Sequence, residues 1–223
     1  TLDTRYLIPY TYGMDTLSKL FGSAAYVKVM RLFLFNPDKA FELKDVKSRA
    51  HITIEIAGRE LANVRSLGLI KRKNFFKERA KKTKKGVKIF KKRVRGWTLN
   101  GGFPHIEPLR HILLSSESFH KEGIADRFKS AGRVKLLVVS GVFVDELERT
   151  DTRGRVDVLL VGDRLKQHVV STALKNLESE IGRELQYTVM KTKDFLYRRS
   201  MYDKFLRDVL DYPHEVLVDR LGV

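Results

Sequence analysis

The sequence contains no cysteine. Disulfides, thiolate metal sites and a cysteine nucleophile are therefore excluded at the outset. No apolar run approaches the length of a membrane-crossing helix, and no signal-peptide pattern opens the chain. A soluble, cytoplasmic protein is the expectation. Neither common type of glycine-rich phosphate loop is present. The histidines, at positions 51, 105, 111, 120, 168 and 214, fall at no metal-ligand spacing. No metal and no cofactor are expected.

Acidic residues are scarce in one stretch above all. Residues 71–95, KRKNFFKERAKKTKKGVKIFKKRVR, hold 14 lysines and arginines against one acid, Glu78. That stretch carries +13 of the formal net charge of +17. Residues 133–223, by contrast, hold 16 bases and 15 acids. A concentrated charge of one sign repels itself and costs stability unless a polyanion lies against it. A solvated or disordered basic loop is one explanation. A nucleic-acid contact is the sharper one, because lysine and arginine on phosphates gain affinity by releasing counterions.

The sequence before this stretch is helical in pattern. AAYVKVMRLFLF (24–35) carries apolar residues at helical spacing, and Pro37 closes the segment. ELKDVKSRA (42–50) predicts a short second helix. A third begins after Thr53, an N-cap residue, with Ile54, Ala57, Leu61 and Val64 on one face. Gly68 ends it, and Leu69 and Ile70 start an extended run. Extended stretches over roughly 69–77 and 87–99 are joined by a lysine-rich tip from Lys81 to Gly86.

Three helices and then a basic hairpin is the order of elements in a winged helix. Residues 22–100 resemble the bacterial and archaeal winged helix-turn-helix transcription regulators, and REL-x-x-V-x-x-LGLI is similar to their passage from recognition helix to wing. With Ala57, Leu61 and Val64 facing the core, Glu55, Arg59 and Asn63 point away from it. In a helix lying in the major groove, arginine suits guanine and asparagine suits adenine, each through two hydrogen bonds. Thr53 joins this face; a merely solvated helix surface is the alternative. The hairpin cations, Lys71, Arg72, Lys73, Lys77, Arg79, Lys81, Lys82, Lys84, Lys85, Lys88, Lys91, Lys92, Arg93 and Arg95, would hold phosphates without reading sequence. The stretch LFGSAAY (20–26) is similar to the Gly-Ser turn with which nucleotidyltransferases grip a triphosphate. It precedes a helix with no acidic strand close behind, so Gly22 and Ser23 read as a helix start.

Beyond the hairpin, TLNGGFPHIEPLRHILLSS passes a Gly-Pro turn into a helix at about 105–115, followed by a polar connection over 116–132. A second domain then reads as strand (133–140), acidic loop (144–153), strand (155–161), helix (164–181), strand (184–190) and helical segments to about 210. HEVLV (214–218) closes the sheet. Strands alternating with helices argue for a small mixed α/β sheet. The expected class is α+β, divided into an N-terminal extension (1–21), a winged helix (22–100), a helical connector (101–132) and a nucleotidyltransferase-like domain (133–223).

That last name rests on KLLVVSGVF, GRVDVLLVGDRL and LESEIGRELQYTVMKTKDFLYR. These resemble the minimal nucleotidyltransferase-like domain that follows a winged helix in some prokaryotic regulators. The resemblance implies a strand ending in Gly-Ser, then Asp-x-Asp on the next strand and a third carboxylate from a neighbour. Residues two apart on a strand share a face, where two carboxylates hold Mg²⁺ ions. This chain departs from the pattern. Gly-Ser becomes Gly141-Val142, the first Asp becomes Arg155, and only Asp157 remains. A guanidinium there would repel Mg²⁺ and pair with Asp157. Glu184 lies near the place of the third carboxylate, and Glu148 or Asp151 could come from the loop. The expectation is a degenerate nucleotide site at Gly141, Val142, Arg155 and Asp157, and no catalysis. In YTVMKTKDFLYRRSMYDKFLRDVL, Phe195, Tyr202, Phe205 and Leu206 recur at helical intervals, which predicts core or dimer packing.

These readings converge on a transcriptional regulator that binds double-stranded DNA as a homodimer, with the second domain dimerising or answering a small-molecule or protein effector. Two alternatives stay open. One is an active nucleotidyltransferase with an atypical metal site; the other is a structured-RNA binder using the same hairpin.

Overall fold

The apolar spacing of residues 24–35 becomes helix α2 (Ala24–Phe35), preceded by the short α1 (Thr16–Leu20). Gly22, at φ +75°, turns the chain between them, and Ser23 Oγ accepts the Tyr26 amide at 3.1 Å to cap α2. The computed structural model describes residues 16–83, 86–114, 122–144 and 156–223, with side chains described except at 81–83, 86–88 and 122. The expected extension is thus described only from residue 16. Within these bounds the molecule is mixed α/β with two sheets.

Helix α2 buries Val27, Val29, Met30, Leu32, Phe33 and Leu34, nearly its whole circumference. A helix apolar all round must be covered all round. It touches α1, β3 (Gly86–Leu99), α3 (Leu43–Ala50), α4 (Ile54–Ser66), α5 (Ile106–Leu114) and α7 (Gln167–Ile181). Helix α3 carries a capping box between Glu42 and Asp45. Helix α4 is capped by Thr53, whose hydroxyl accepts the Ile56 amide at 3.4 Å, and is followed by Gly68 at φ +87°. Ala57, Leu61 and Val64 are buried as their spacing predicts, but Ile54 is 37% exposed. Side chains on a helix lean toward its N-terminus, and at the first helical position no turn lies below to cover them.

Strands β2 (Ile70–Thr83) and β3 (Gly86–Leu99) pair in an unbroken antiparallel register from Ile70↔Leu99 to Thr83↔Gly86. Strand β2 runs on past residue 77, where the sequence suggests it ends, because a charged side chain does not prevent its backbone from pairing. The two-residue β1 (Ala40–Phe41) adds to β3, giving the order β1-β3-β2.

The second sheet has the order β6-β5-β4-β7, from β4 (Arg133–Ser140), β5 (Val158–Asp163), β6 (Tyr187–Met190) and β7 (His214–Asp219). Helix α7 is the crossover between the parallel pair β5 and β6, whereas β4 runs antiparallel to both β5 and β7. Helix α6 (Glu122–Arg127) precedes β4, while α8 (Thr192–Ser200) and α9 (Lys204–Leu210) lie between β6 and β7. Leu137, Val139, Val158 and Leu160 pack with Val170, Leu174 and Leu177 of α7. The alternate residues Leu136, Val138, Leu159 and Val161 pack with Phe195, Leu206 and Val209. Both faces of β4 and β5 are covered, hence their continuous apolar runs. Phe195 and Leu206 are core, one of the two outcomes their spacing predicts, whereas Tyr202 is 80% exposed where the chain turns at φ +51° between α8 and α9. The acidic loop falls mostly outside the described residues.

Helices α2 and α7 meet along a polar seam. Arg31, 4% exposed, donates through Nε to Leu113 O at 2.8 Å and through Nη1 to Glu180 O at 3.1 Å. Asn36 Nδ2 donates to Leu32 O at 2.8 Å and to Gly182 O at 2.9 Å. Gly182, at φ +88°, sits so close that a Cβ would lie 2.6 Å from Arg31 C and from Leu32 N. Arg49 of α3 pairs with Glu184 at 2.8 Å. No helix among the described residues is long and apolar enough to cross a membrane.

Candidate nucleic-acid interface

The hairpin starts from an apolar root, Ile70 paired with Leu99, with Trp97 half-buried one step beyond. At Gly96 a Cβ would lie 2.2 Å from Phe41 O, so only glycine lets β3 approach β1 this closely. Farther out, directly paired residues share a face. One face carries Asn74 with Arg95, Phe76 with Arg93 and Glu78 with Lys91; the other carries Phe75 with Val94, Lys77 with Lys92 and Arg79 with Phe90. At about 3.4 Å per residue, strands of this length reach roughly 45 Å from root to tip.

The hairpin cations divide by what they meet. Lys71, Arg72, Lys73, Lys91, Lys92, Arg93 and Arg95 are exposed. Lys77 and Arg79 reach back to α3 instead. Lys77 Nζ donates to Glu42 Oε1 at 2.9 Å and also to Asp45, and Arg79 Nη2 donates to Glu42 Oε1 at 2.5 Å. Burial works to lower the Lys77 pKa, but its bonds to Asp45 and Glu42 hold it above the ordinary value. These two cations therefore anchor the hairpin to the start of α3. The side chains of Lys81, Lys82 and Lys88, and Lys84 and Lys85 entirely, lie outside the described residues. Among the cations stand exposed apolar side chains: Phe76 is 70% and Ile89 65% exposed.

On α4, Thr53, Glu55, Arg59 and Asn63 are all exposed. The Glu55 carboxyl is held below its ordinary pKa by its own amide and then by the Thr53 hydroxyl, so it belongs to the helix cap. Arg59 and Asn63 are not free. Both donate to Glu60, which is 2% exposed. Oε1 accepts from Arg59 Nη2 at 2.9 Å and Nε at 3.3 Å, and Oε2 accepts from Asn63 Nδ2 at 3.0 Å. Ser23 Oγ donates to Oε1 at 3.2 Å. Sequence reasoning missed Glu60, although 57, 60, 61 and 64 form one helical stripe and place it among the core positions. A shallow, open depression of about 580 Å³ lies here, lined by Ser23, Tyr26, Arg59, Glu60 and Asn63 among others. Burial, then the Glu60 charge, raises the Tyr26 pKa.

The second candidate site centres on Asp157, 1% exposed, which lies beside the turn at Gly141 and Val142. Its Oδ1 accepts Arg183 Nη2 at 2.6 Å and the Val142 amide at 3.4 Å, and its Oδ2 accepts the Gln186 amide at 2.8 Å. A Cβ on Gly141, at φ +56°, would lie 2.5 Å from Oδ1. The guanidinium of Arg183 also stands 5.9 Å from the centre of the Phe35 ring of α2. Arg155, Glu148 and Asp151 lie outside the described residues, so the expected Arg155–Asp157 pair is not described. The cation on Asp157 is Arg183, unforeseen because it comes from the turn after α7. Glu184, 64% exposed in its side chain, is engaged by Arg49. Among the described residues no three His, Cys, Asp or Glu are grouped to hold a metal ion.

No protein-family model, curated protein or solved structure matches this chain.

Proposed function

We propose that this chain is a DNA-binding transcriptional regulator. Residues 22–100 serve as a winged helix, α4 as recognition helix and the β2–β3 hairpin as its wing. Residues 133–223 serve as a nucleotidyltransferase-like domain without catalysis, and a homodimer doubles the DNA contacts. The order α2, β1, α3, α4, β2, β3 supports this reading. The observation that carries it is the hairpin, with one acid against 14 bases over 71–95 and seven described cations open to solvent. The non-catalytic reading is supported by Asp157, whose oxygens already accept a guanidinium and two amides. A Mg²⁺ ion would have to displace Arg183. The dimer and any effector of the second domain rest on the resemblance alone.

Binding to duplex DNA should weaken steeply with salt. Changing Lys81, Lys82, Lys84 and Lys85 together to Gln should reduce the log–log slope by roughly 0.9 for each phosphate that is no longer neutralised. Filter binding across a salt series reads this directly, and an unchanged slope removes the tip from the interface. One observation favours a second reading. Phe76, exposed among cations, offers the stacking surface that unpaired RNA bases use. An RNA hairpin that outcompetes every DNA at matched salt would transfer the proposal to RNA.

A further inference from the structure

The structure assigns Glu60 as the residue that positions the sequence-reading side chains of α4, an inference that rests on the DNA-binding reading above. A carboxylate on the core stripe is expensive to desolvate, and an apolar side chain of similar size would stabilise the helix at least as well. What Glu60 does there is visible in its partners. Its two oxygens are divided between Arg59 and Asn63, the two exposed residues whose chemistry matches guanine and adenine.

Arg59 keeps a side chain 64% exposed while its Nε and Nη2 meet Oε1, which leaves Nη1 outside this pairing. An arginine free in water loses rotamer freedom on binding a base edge; one already held loses less. Ser23 completes the arrangement. Its Oγ accepts the Tyr26 amide to cap α2 and donates to the same Oε1, tying the clamp to the central helix. The Gly-Ser of LFGSAAY thus has a role without binding phosphate.

Glu60 is negative beside a polyanion, so it adds specificity while opposing non-specific attraction. Glu60→Gln should lower the ratio of specific to non-specific affinity about tenfold, the scale of one base-reading contact. Non-specific affinity should stay level or rise. Glu60→Met, which fills the position without an acceptor, should lower the ratio at least as far.

The experiment enriches a preferred duplex from a random-sequence DNA library with the full wild-type chain. Affinities of both variants for that duplex and for a scrambled one are then measured, with thermal melting as the check on folding. Introduced into an Arg59→Ala, Asn63→Ala background, Glu60→Gln should change the ratio no further. A purely packing role predicts instead that both affinities fall together, and that result overturns the inference. So does an unchanged ratio in either folded variant. A wild type that binds duplexes tightly with no preference removes the reading role of α4 and this inference, while leaving the hairpin interface standing. No DNA binding at all defeats the functional proposal itself.

Discussion

Arg93 and Arg183 carry the same guanidinium to opposite ends. Arg93 stands exposed on the hairpin, surrounded by like charge. Arg183 is tucked between the Asp157 carboxylate and the Phe35 ring, at the meeting of α2 and the second sheet. For the seven exposed cations described on the hairpin, water solvates the charge and the unfavourable term is mutual repulsion, which a polyanion relieves. At the seam, an unanswered charge would cost several kcal/mol, and Arg31 and Arg183 are each held there by hydrogen bonds, although Arg183 Nε has no partner among the described residues. Net charge alone does not locate a binding surface; charge left unanswered by the protein does. Lys77 and Arg79 mark the border, being hairpin cations already answered by Glu42 and Asp45.

The largest effect that would sharpen this contrast is expected from Asp157→Ala. Removing one partner of a buried pair should destabilise the fold by about 3–5 kcal/mol. Denaturant unfolding measures it, while the salt slope of DNA binding, taken well below the transition, should not move. A loss under about 1 kcal/mol would mean that Arg183 is solvated rather than held, and would erase the distinction.

Next in size is Gly182→Ala. Its Cβ would lie 2.6 Å from backbone atoms of α2, at a φ of +88° that L residues avoid, so α7 must shift away from Arg31. A cost of roughly 2–3 kcal/mol is expected from overpacking and backbone strain together. Thermal melting against wild type tests it, and a neutral substitution would show that the seam is loosely joined.

The smallest change in stability belongs to the hairpin. Lys91→Gln with Arg93→Gln should alter stability by less than about 0.5 kcal/mol, as exposed substitutions do. The same pair should weaken DNA binding and flatten its salt dependence. If the variant instead melts much earlier with unchanged binding, these cations are structural and the comparison fails.

How much of this was readable in advance depends on range. Ser23 and Thr53 as caps, the stripe Ala57, Leu61 and Val64, and β4 and β5 as strands are all features of neighbouring residues. Glu60 was half legible: its place on the stripe could be counted, but not that its oxygens divide between Arg59 and Asn63. The exposure of Ile54 and Tyr202 escaped periodicity. One sits before any turn can cover it, and the other sits where the helical phase is broken. The two extended stretches of the hairpin were legible, but not how far they pair toward the tip, because composition reports on side chains, whereas pairing uses the backbone.

By itself the sequence determined the order of the main helices and strands, though not the short α1, β1 and α6, and with it the charge inventory and the absence of thiol chemistry. Helical and strand signals act over a few residues, and charge simply adds. Only the tertiary structure decided which charges are answered and which remain open. Arg183 reaches Asp157 across 26 positions, Lys77 reaches Glu42 across 35, Ser23 reaches Glu60 across 37 and Arg31 reaches Glu180 across 149. No local pattern encodes such meetings, because a hydrogen bond of about 3 Å depends on where packed helices bring distant side chains together.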